Sequence, residues 1–213
     1  MSIELIPFSG SESLVFQMLE VLRSIFPKLG TQDGVMLAGG RTPLEIYRRA
    51  AAEGLLTAGK LFLSDERYVP VTDPLSNYGG IAPFFNFSLL KVDTHLPIAV
   101  AAQGFHDELN RIQRIPLGLL GLGADGHTAS LFHFEDAALR DERLAVPVIK
   151  TEKPDRISVT PTLLHRVEKM IILATGADKR EVIQTLLKNP DAIPAGVALA
   201  GHPHVELWTD QAL

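Results

Sequence analysis

Gly118-Leu119-Leu120-Gly121-Leu122-Gly123-Ala124-Asp125-Gly126-His127-Thr128-Ala129-Ser130-Leu131-Phe132 is the stretch whose reading decides the fold. Leu117 to Leu122 is an apolar run of strand length that breaks into glycines. An Asp, a His, a Thr and a Ser then follow within a few residues. Open α/β sheets bind ligands in the crevice beyond the carboxyl ends of their strands, so this turn is a candidate site. His127 is the one side chain of the turn whose ordinary titration range suits proton transfer near neutrality.

Outward from that strand, the same grammar recurs. Gly34 to Ala38 predicts a buried strand running into Gly39-Gly40-Arg41-Thr42-Pro43-Leu44-Glu45. Thr42 reads as an N-cap, Pro43 as the first helical position and Glu45 as the partner in a Thr-x-x-Glu capping box. The helix then runs to about Ala52. Free N–H groups at a helix start favour an anion, and glycines let backbone approach it. An ordinary strand-to-helix connection is the competing reading, and the residues alone leave both open. Neither the P-loop nor the Gly-x-Gly-x-x-Gly pattern is present, so ATP and NAD are not supported. Lys60 to Leu63 predicts another strand, with the polar stretch Ser64-Asp65-Glu66-Arg67 at its carboxyl end. That stretch reads equally as a solvated loop. Met170 to Thr175 is the clearest buried strand. Gly176 to Lys179 turns it into a helix through Val182, Ile183 and Leu186, ended by Asn189-Pro190.

The remaining segments fill in the alternation. Ile3 to Phe8 predicts a first strand. Ser11 to Ile25 spaces its apolar residues along one helical face. Thr72 to Gly80 is turn-rich, and Pro83 to Leu90 is ambiguous. Leu96 to Ala102 reads as a short edge element, and Gly104 to Arg114 as a helix. Leu139 to Ala145 reads as exposed, Val146 to Ile149 as an edge strand, and Arg156 to Thr160 as a half-buried strand. Pro161 to His165 predicts a short helix or turn, Ile193 to Val197 a loop, and Val205 to Trp208 a last strand. Strands alternating with helices predict an α/β fold with a mainly parallel sheet. No repeat or low-complexity segment divides the chain, so residues 1–213 are read as a single domain.

Composition narrows the function classes. Apolar residues make up 46% and charged residues 21%, as in ordinary globular proteins. A net charge of −5 argues against a nucleic-acid partner, so an anionic ligand needs a local cationic cluster. The absence of cysteine excludes disulfides, thiolate metal sites and a Cys nucleophile. No signal-like start or membrane-length apolar run is read, which leads us to expect no membrane association and a cytoplasmic location.

Several blocks in order resemble the 6-phosphogluconolactonase family. They are Gly39 to Pro43; Asp65-Glu66-Arg67-Tyr68-Val69-Pro70 with Ser76-Asn77-Tyr78; Leu120 to Phe132; Arg156 to Thr160; and Thr175 to Lys179. The resemblance implies a modified Rossmann-like three-layer α/β/α sandwich of the sugar-phosphate isomerase-like group. It implies hydrolysis of 6-phospho-D-glucono-1,5-lactone to 6-phospho-D-gluconate, in the oxidative pentose phosphate pathway. It places the substrate phosphate on Gly39, Gly40, Arg41 and Thr42, with Arg156 and Lys179 as cations. His127 becomes the general base, Asp65 and Arg67 line the ring side, and Asp125 orients the imidazole or binds sugar hydroxyls. No metal and no cofactor are expected, and a monomer or homodimer is expected. The chain departs from the family pattern in a shorter 79–116 region, in His133-Phe134-Glu135 where a Pro-Gly turn is expected, and in Gly196 where a larger residue is expected.

His202-Pro203-His204 reads as a solvated turn rather than a metal site. Ser130 lacks a Gly-x-Ser-x-Gly elbow and reads as a helix cap or start. Asp65 and Glu66, adjacent on a strand, point to opposite faces and do not form a glycosidase pair. Trp208 reads as core. An isomerase or deaminase of the same fold is the first alternative, but the deaminase pattern has a carboxylate soon after the histidine, and none follows here until Glu135. A sugar-phosphate sensor is the second, although no DNA-binding extension is read.

Overall fold

Along each buried strand, successive apolar side chains face opposite ways, so a strand apolar at every position must be covered on both sides. In the computed structural model, which describes residues 3–56, 58–85 and 89–212, helices supply both covers. The order is β1 (Ile3–Pro7), α1 (Ser11–Ile25), β2 (Asp33–Leu37), α2 (Arg41–Ala52), β3 (Lys60–Leu63), β4 (Asp65–Arg67), α3 (Asn77–Ile81) and α4 (Ile98–Asn110). There follow β5 (Arg114–Gly121), α5 (Phe134–Ala137), β6 (Ala145–Val148), β7 (Arg156–Val159), α6 (Pro161–Leu164), β8 (Met170–Leu173), α7 (Arg180–Lys188), α8 (Pro194–Ala198) and β9 (Val205–Thr209).

Six strands form one sheet in the order β1-β9-β8-β5-β2-β3, every described pair parallel. Val35, Leu119, Ile171 and Trp208 face the core under α1 and α2. Met36, Leu120, Ile172 and Leu207 face the opposite core, with Phe105 of α4, Leu163 of α6 and Ile183 of α7. The three-layer α/β/α arrangement expected from the sequence is therefore present. Because the sheet is parallel, the carboxyl ends of β2, β3, β5 and β8 open on one edge, and all four turns singled out above lie there.

A second, antiparallel sheet of order β4-β7-β6 was not foreseen. Other differences are local. The α2 helix starts at Arg41 with Gly40 at its N-cap (φ 108°), so Thr42 and Glu45 form no capping box. Thr42 instead shares a 2.7 Å hydrogen bond with the Thr175 hydroxyl, and Glu45 pairs with Arg48 and Arg49, both at 2.7 Å. The edge element expected at Leu96 to Ala102 is the first half of α4, whose buried Ala101, Ala102, Phe105 and Leu109 repeat at helical spacing. Arg114 belongs to β5, not to that helix. Strand β7 is buried beyond its first residue rather than half-buried, because Ser158 spends its hydroxyl on Ser130 N–H at 3.1 Å. Leu144 and Ala145 are buried, and Pro194–Ala198 is helical. Gly196 is required there: a Cβ would lie 2.1 Å from the Pro190 carbonyl oxygen. The ambiguous Pro83 to Leu90 segment lies partly outside the described residues.

Candidate active site

The four turns enclose a cleft of about 390 Å³. Gly39 and Gly40 reach it from β2, Asp65 and Arg67 from β4, His127 from the turn after β5, Arg156 from β7 and Lys179 from the turn after β8. These sequence-predicted residues converge from segments up to 140 positions apart. Three others do not line it. Arg41 is exposed, Thr42 is turned to Thr175, and Asp125 stands behind His127. Helix α2 still aims its start at the cleft through Gly40. None of the described hydrogen bonds is donated by the N–H groups of Gly40, Arg41 or Thr42.

His127 is held on several sides. Its Nδ1 lies 2.5 Å from Asp125 Oδ1, which also accepts the His127 backbone N–H at 3.3 Å. Burial pushes the Asp125 carboxyl up, but the hydrogen bond and charge of His127 outweigh it and leave the group below its ordinary value. An ionised carboxylate accepts, so Nδ1 carries a proton, and in the neutral imidazole the lone pair is then on Nε2. Phe132 packs against the imidazole with ring centroids 4.4 Å apart. Beneath it lies Gly123, where a Cβ would come within 2.2 Å of Nδ1.

The small sheet sets the opposite wall. Side chains alternate along β4, so Asp65 and Arg67 face the cleft while Glu66 turns away. Asp65 Oδ2 accepts from the Ser130 hydroxyl at 2.7 Å, and Oδ1 from Ser64 at 3.3 Å. Ser130 is thus neither a helix cap nor a nucleophile on an elbow; it lies in a turn after Ala129, whose φ is 49°. Glu66 is buried and accepts the backbone N–H groups of Arg67, Asn77 and Tyr78 at 2.6, 2.8 and 2.6 Å. Burial nonetheless raises its carboxyl above the ordinary value. These bonds hang the Thr72 to Gly80 segment on β4. They bring Asn77 onto the cleft wall, with Nδ2 donating to the Asp65 carbonyl at 3.0 Å.

Arg67 and Arg156 stand directly opposite each other in the β4–β7 pair. Burial, and then the facing Arg67 charge, pull the Arg156 guanidinium below its ordinary value. Arg67 donates to the Leu75 carbonyl at 2.7 Å, while its Nε is buried with no partner. Like charges placed opposite one another are unfavourable unless an anion bridges them. Sequence reading named both arginines but missed their pairing, along with Ser64, Asn77 and Phe132. Nothing local announces a strand pair formed across nearly ninety residues.

Away from the cleft, His202 is buried and fully bonded, its Nε2 2.9 Å from the Val167 carbonyl and its Nδ1 accepting His204 N–H at 3.1 Å. It is therefore not part of a solvated turn. Glu4, His204 and Glu206 each place one donor atom within 4.8 Å of the others. The Lys169 ammonium, 2.6 Å from Glu206, already neutralises that carboxylate. Among the described residues, no helix is long and apolar enough to cross a membrane.

Comparison with known proteins gives a consistent picture. The family model described as glucosamine-6-phosphate isomerases/6-phosphogluconolactonase matches residues 12–208. The GDH/6PGL endoplasmic bifunctional protein of Oryctolagus cuniculus is 32% identical over 166 residues, covering 68% of this chain but 21% of that protein. The 6-phosphogluconolactonase of Thermotoga maritima is 33% identical over 165 residues, covering 73% of this chain and 74% of the relative. A crystal structure of 6-phosphogluconolactonase from Thermotoga maritima superposes with a TM-score of 0.82 at 27% identity, covering 97% of both chains.

Proposed function

The chain belongs to the glucosamine-6-phosphate isomerase/6-phosphogluconolactonase family, and from that premise we propose that it is a 6-phosphogluconolactonase. It hydrolyses 6-phospho-D-glucono-1,5-lactone to 6-phospho-D-gluconate, a step of the oxidative pentose phosphate pathway, in the cytoplasm. The observation that carries this reading is His127: its Nδ1 is engaged by Asp125, leaving a basic nitrogen for a cleft whose far wall holds two arginines that face each other.

The substrate phosphate rests on the α2 start at Gly39 and Gly40, against Lys179 and Arg156. Arg41 and Thr42 contribute there through their free backbone N–H groups rather than their side chains. Guanidinium groups suit phosphate through paired N–H contacts, and the lysine adds a mobile charge. Asp65, fixed by Ser130 and Ser64, and Asn77 meet the sugar hydroxyls beside Arg67. His127 takes a proton from water as its oxygen bonds to the lactone carbonyl carbon. The resulting oxyanion collapses, the bond from that carbon to the ring oxygen breaks, and the imidazolium returns its proton to the departing oxygen. The acid so formed ionises, releasing one proton. One base and hydrogen bonds to the oxyanion suffice for an activated ester, so no metal is invoked.

Glu135, the first carboxylate after His127, is exposed on α5 and does not line the cleft. This placement favours lactone hydrolysis over deamination. The test is hydrolysis of freshly made 6-phosphogluconolactone above the spontaneous rate, beside unphosphorylated gluconolactone and with chelator present. Rapid hydrolysis of the phosphorylated lactone alone is expected. No acceleration would move the assignment to an isomerase or a sensor.

A further inference from the structure

Opening the lactone creates a charge that the substrate lacks: an uncharged carbonyl becomes a carboxylate beside His127. This inference rests on the proposed reaction, in which Arg156 and Lys179 serve the phosphate and Arg67 the ring. A further cation stands at the histidine end. Lys150 Nζ lies 3.6 Å from the centroid of the Phe132 ring, and that ring packs against the His127 imidazole at 4.4 Å. Phe132 therefore separates the ammonium from the base by a single ring, and it also lines the cleft.

The ammonium is uncommitted. Among the described residues it has no ion pair and no hydrogen-bond acceptor. The neighbouring carboxylate, Asp155, is taken by Lys153 at 2.7 Å. Asp155 also accepts the Lys150 backbone N–H at 2.9 Å, which fixes the root of the side chain while the tip stays free. A cation resting on an aromatic face is held less firmly than by a charge-assisted hydrogen bond to a carboxylate. Four carbons of stem give the ammonium the reach to exchange one for the other.

We propose that Lys150 is the residue that recognises the newly formed carboxylate: as the ring opens, its ammonium leaves the face of Phe132 and pairs with the acid end of the product. Lys150 exchanges no proton; it supplies charge at the end of the ligand opposite the phosphate. The ligand class is an open-chain sugar acid phosphate, anionic at both ends.

The test uses Lys150→Met, which keeps an apolar stem at this half-buried position, and calorimetric binding of three probes: 6-phosphogluconate, glucitol 6-phosphate and inorganic phosphate. Glucitol 6-phosphate carries a hydroxymethyl group in place of the carboxylate. The wild type is expected to prefer 6-phosphogluconate over glucitol 6-phosphate, and Lys150→Met to lose about fivefold or more of that preference. Affinity for the other two probes should stay within about twofold, and Lys150→Arg should restore part of the preference. An unchanged preference in Lys150→Met would overturn the proposal. So would an equal loss for all three probes, which would assign Lys150 to the phosphate end. Failure of the wild type to hydrolyse the lactone would count against the reaction itself, and the binding comparison still reads out separately.

Discussion

His127 owes its usefulness to neighbours that leave it little freedom. Asp125 fixes the tautomer, Phe132 one face, and Gly123 vacates the space beneath. His127→Ala is expected to lower turnover by about 10²–10⁴-fold, with the substrate concentration for half-maximal rate little changed; steady-state kinetics separates the two. Gly123→Ala tests the vacancy itself. Its methyl group would fall 2.2 Å from Nδ1, so the imidazole must swing off Asp125. Turnover should fall towards the His127→Ala value while the far-ultraviolet circular dichroism stays native, and a normal rate would show that the ring tolerates displacement.

At the scale of elements, the site is a joint between two sheets. The parallel sheet brings the helix start, the histidine and Lys179; the small sheet brings Asp65, Arg67 and Arg156. Glu66 ties the small sheet to the segment carrying Asn77. Glu66→Gln should destabilise the protein by about 1–3 kcal/mol, and hydrogen exchange at the Arg67, Asn77 and Tyr78 amides should quicken. Arg156→Ala removes one of two facing positive charges. It should leave the melting temperature unchanged or higher, yet raise the substrate concentration required by about tenfold; a lower melting temperature with unaltered kinetics would mean the pair is structural. The legibility of these elements follows their chemistry. Helix α1 and strands β5 and β8 were readable because burial imposes a period or a run on contiguous residues. Strand β4 was not, being three residues long and paired with a distant segment. The capping box misled because Thr42 and Glu45 each find a partner beyond the motif. The turn histidine and the glycines stood out because few other residues serve there, whereas the Asp65–Ser130 and Arg67–Arg156 contacts exist only once the chain has folded.

For the molecule as a whole, pH acts through groups that tie neighbouring strands of the large sheet together. Glu206 on β9 accepts from the Trp208 indole at 2.8 Å and pairs with Lys169. Burial pushes its carboxyl up, but these partners outweigh burial and hold it below the ordinary value. A carboxyl lowered on folding stabilises the protein above the unfolded-state value, and that support is lost as pH falls through the folded-state value. The melting temperature should therefore fall on acidification below about pH 5, and less steeply in Glu206→Gln, which starts lower at neutral pH. Parallel curves for the two proteins would remove Glu206 from the account.

Strand β1 pairs with β9 alone, at the outer edge of the sheet. During synthesis, the backbone of Ile3 to Pro7 thus emerges well before its partner at Val205 to Thr209, which lies 202 positions downstream. At bacterial or eukaryotic elongation rates of about 5–20 residues per second, that edge waits roughly ten seconds or more without its partner. Closing so long a loop is slow, and an unpaired apolar strand is an opening for wrong partners in the meantime. The nascent chain should accordingly lean on chaperones until β9 arrives.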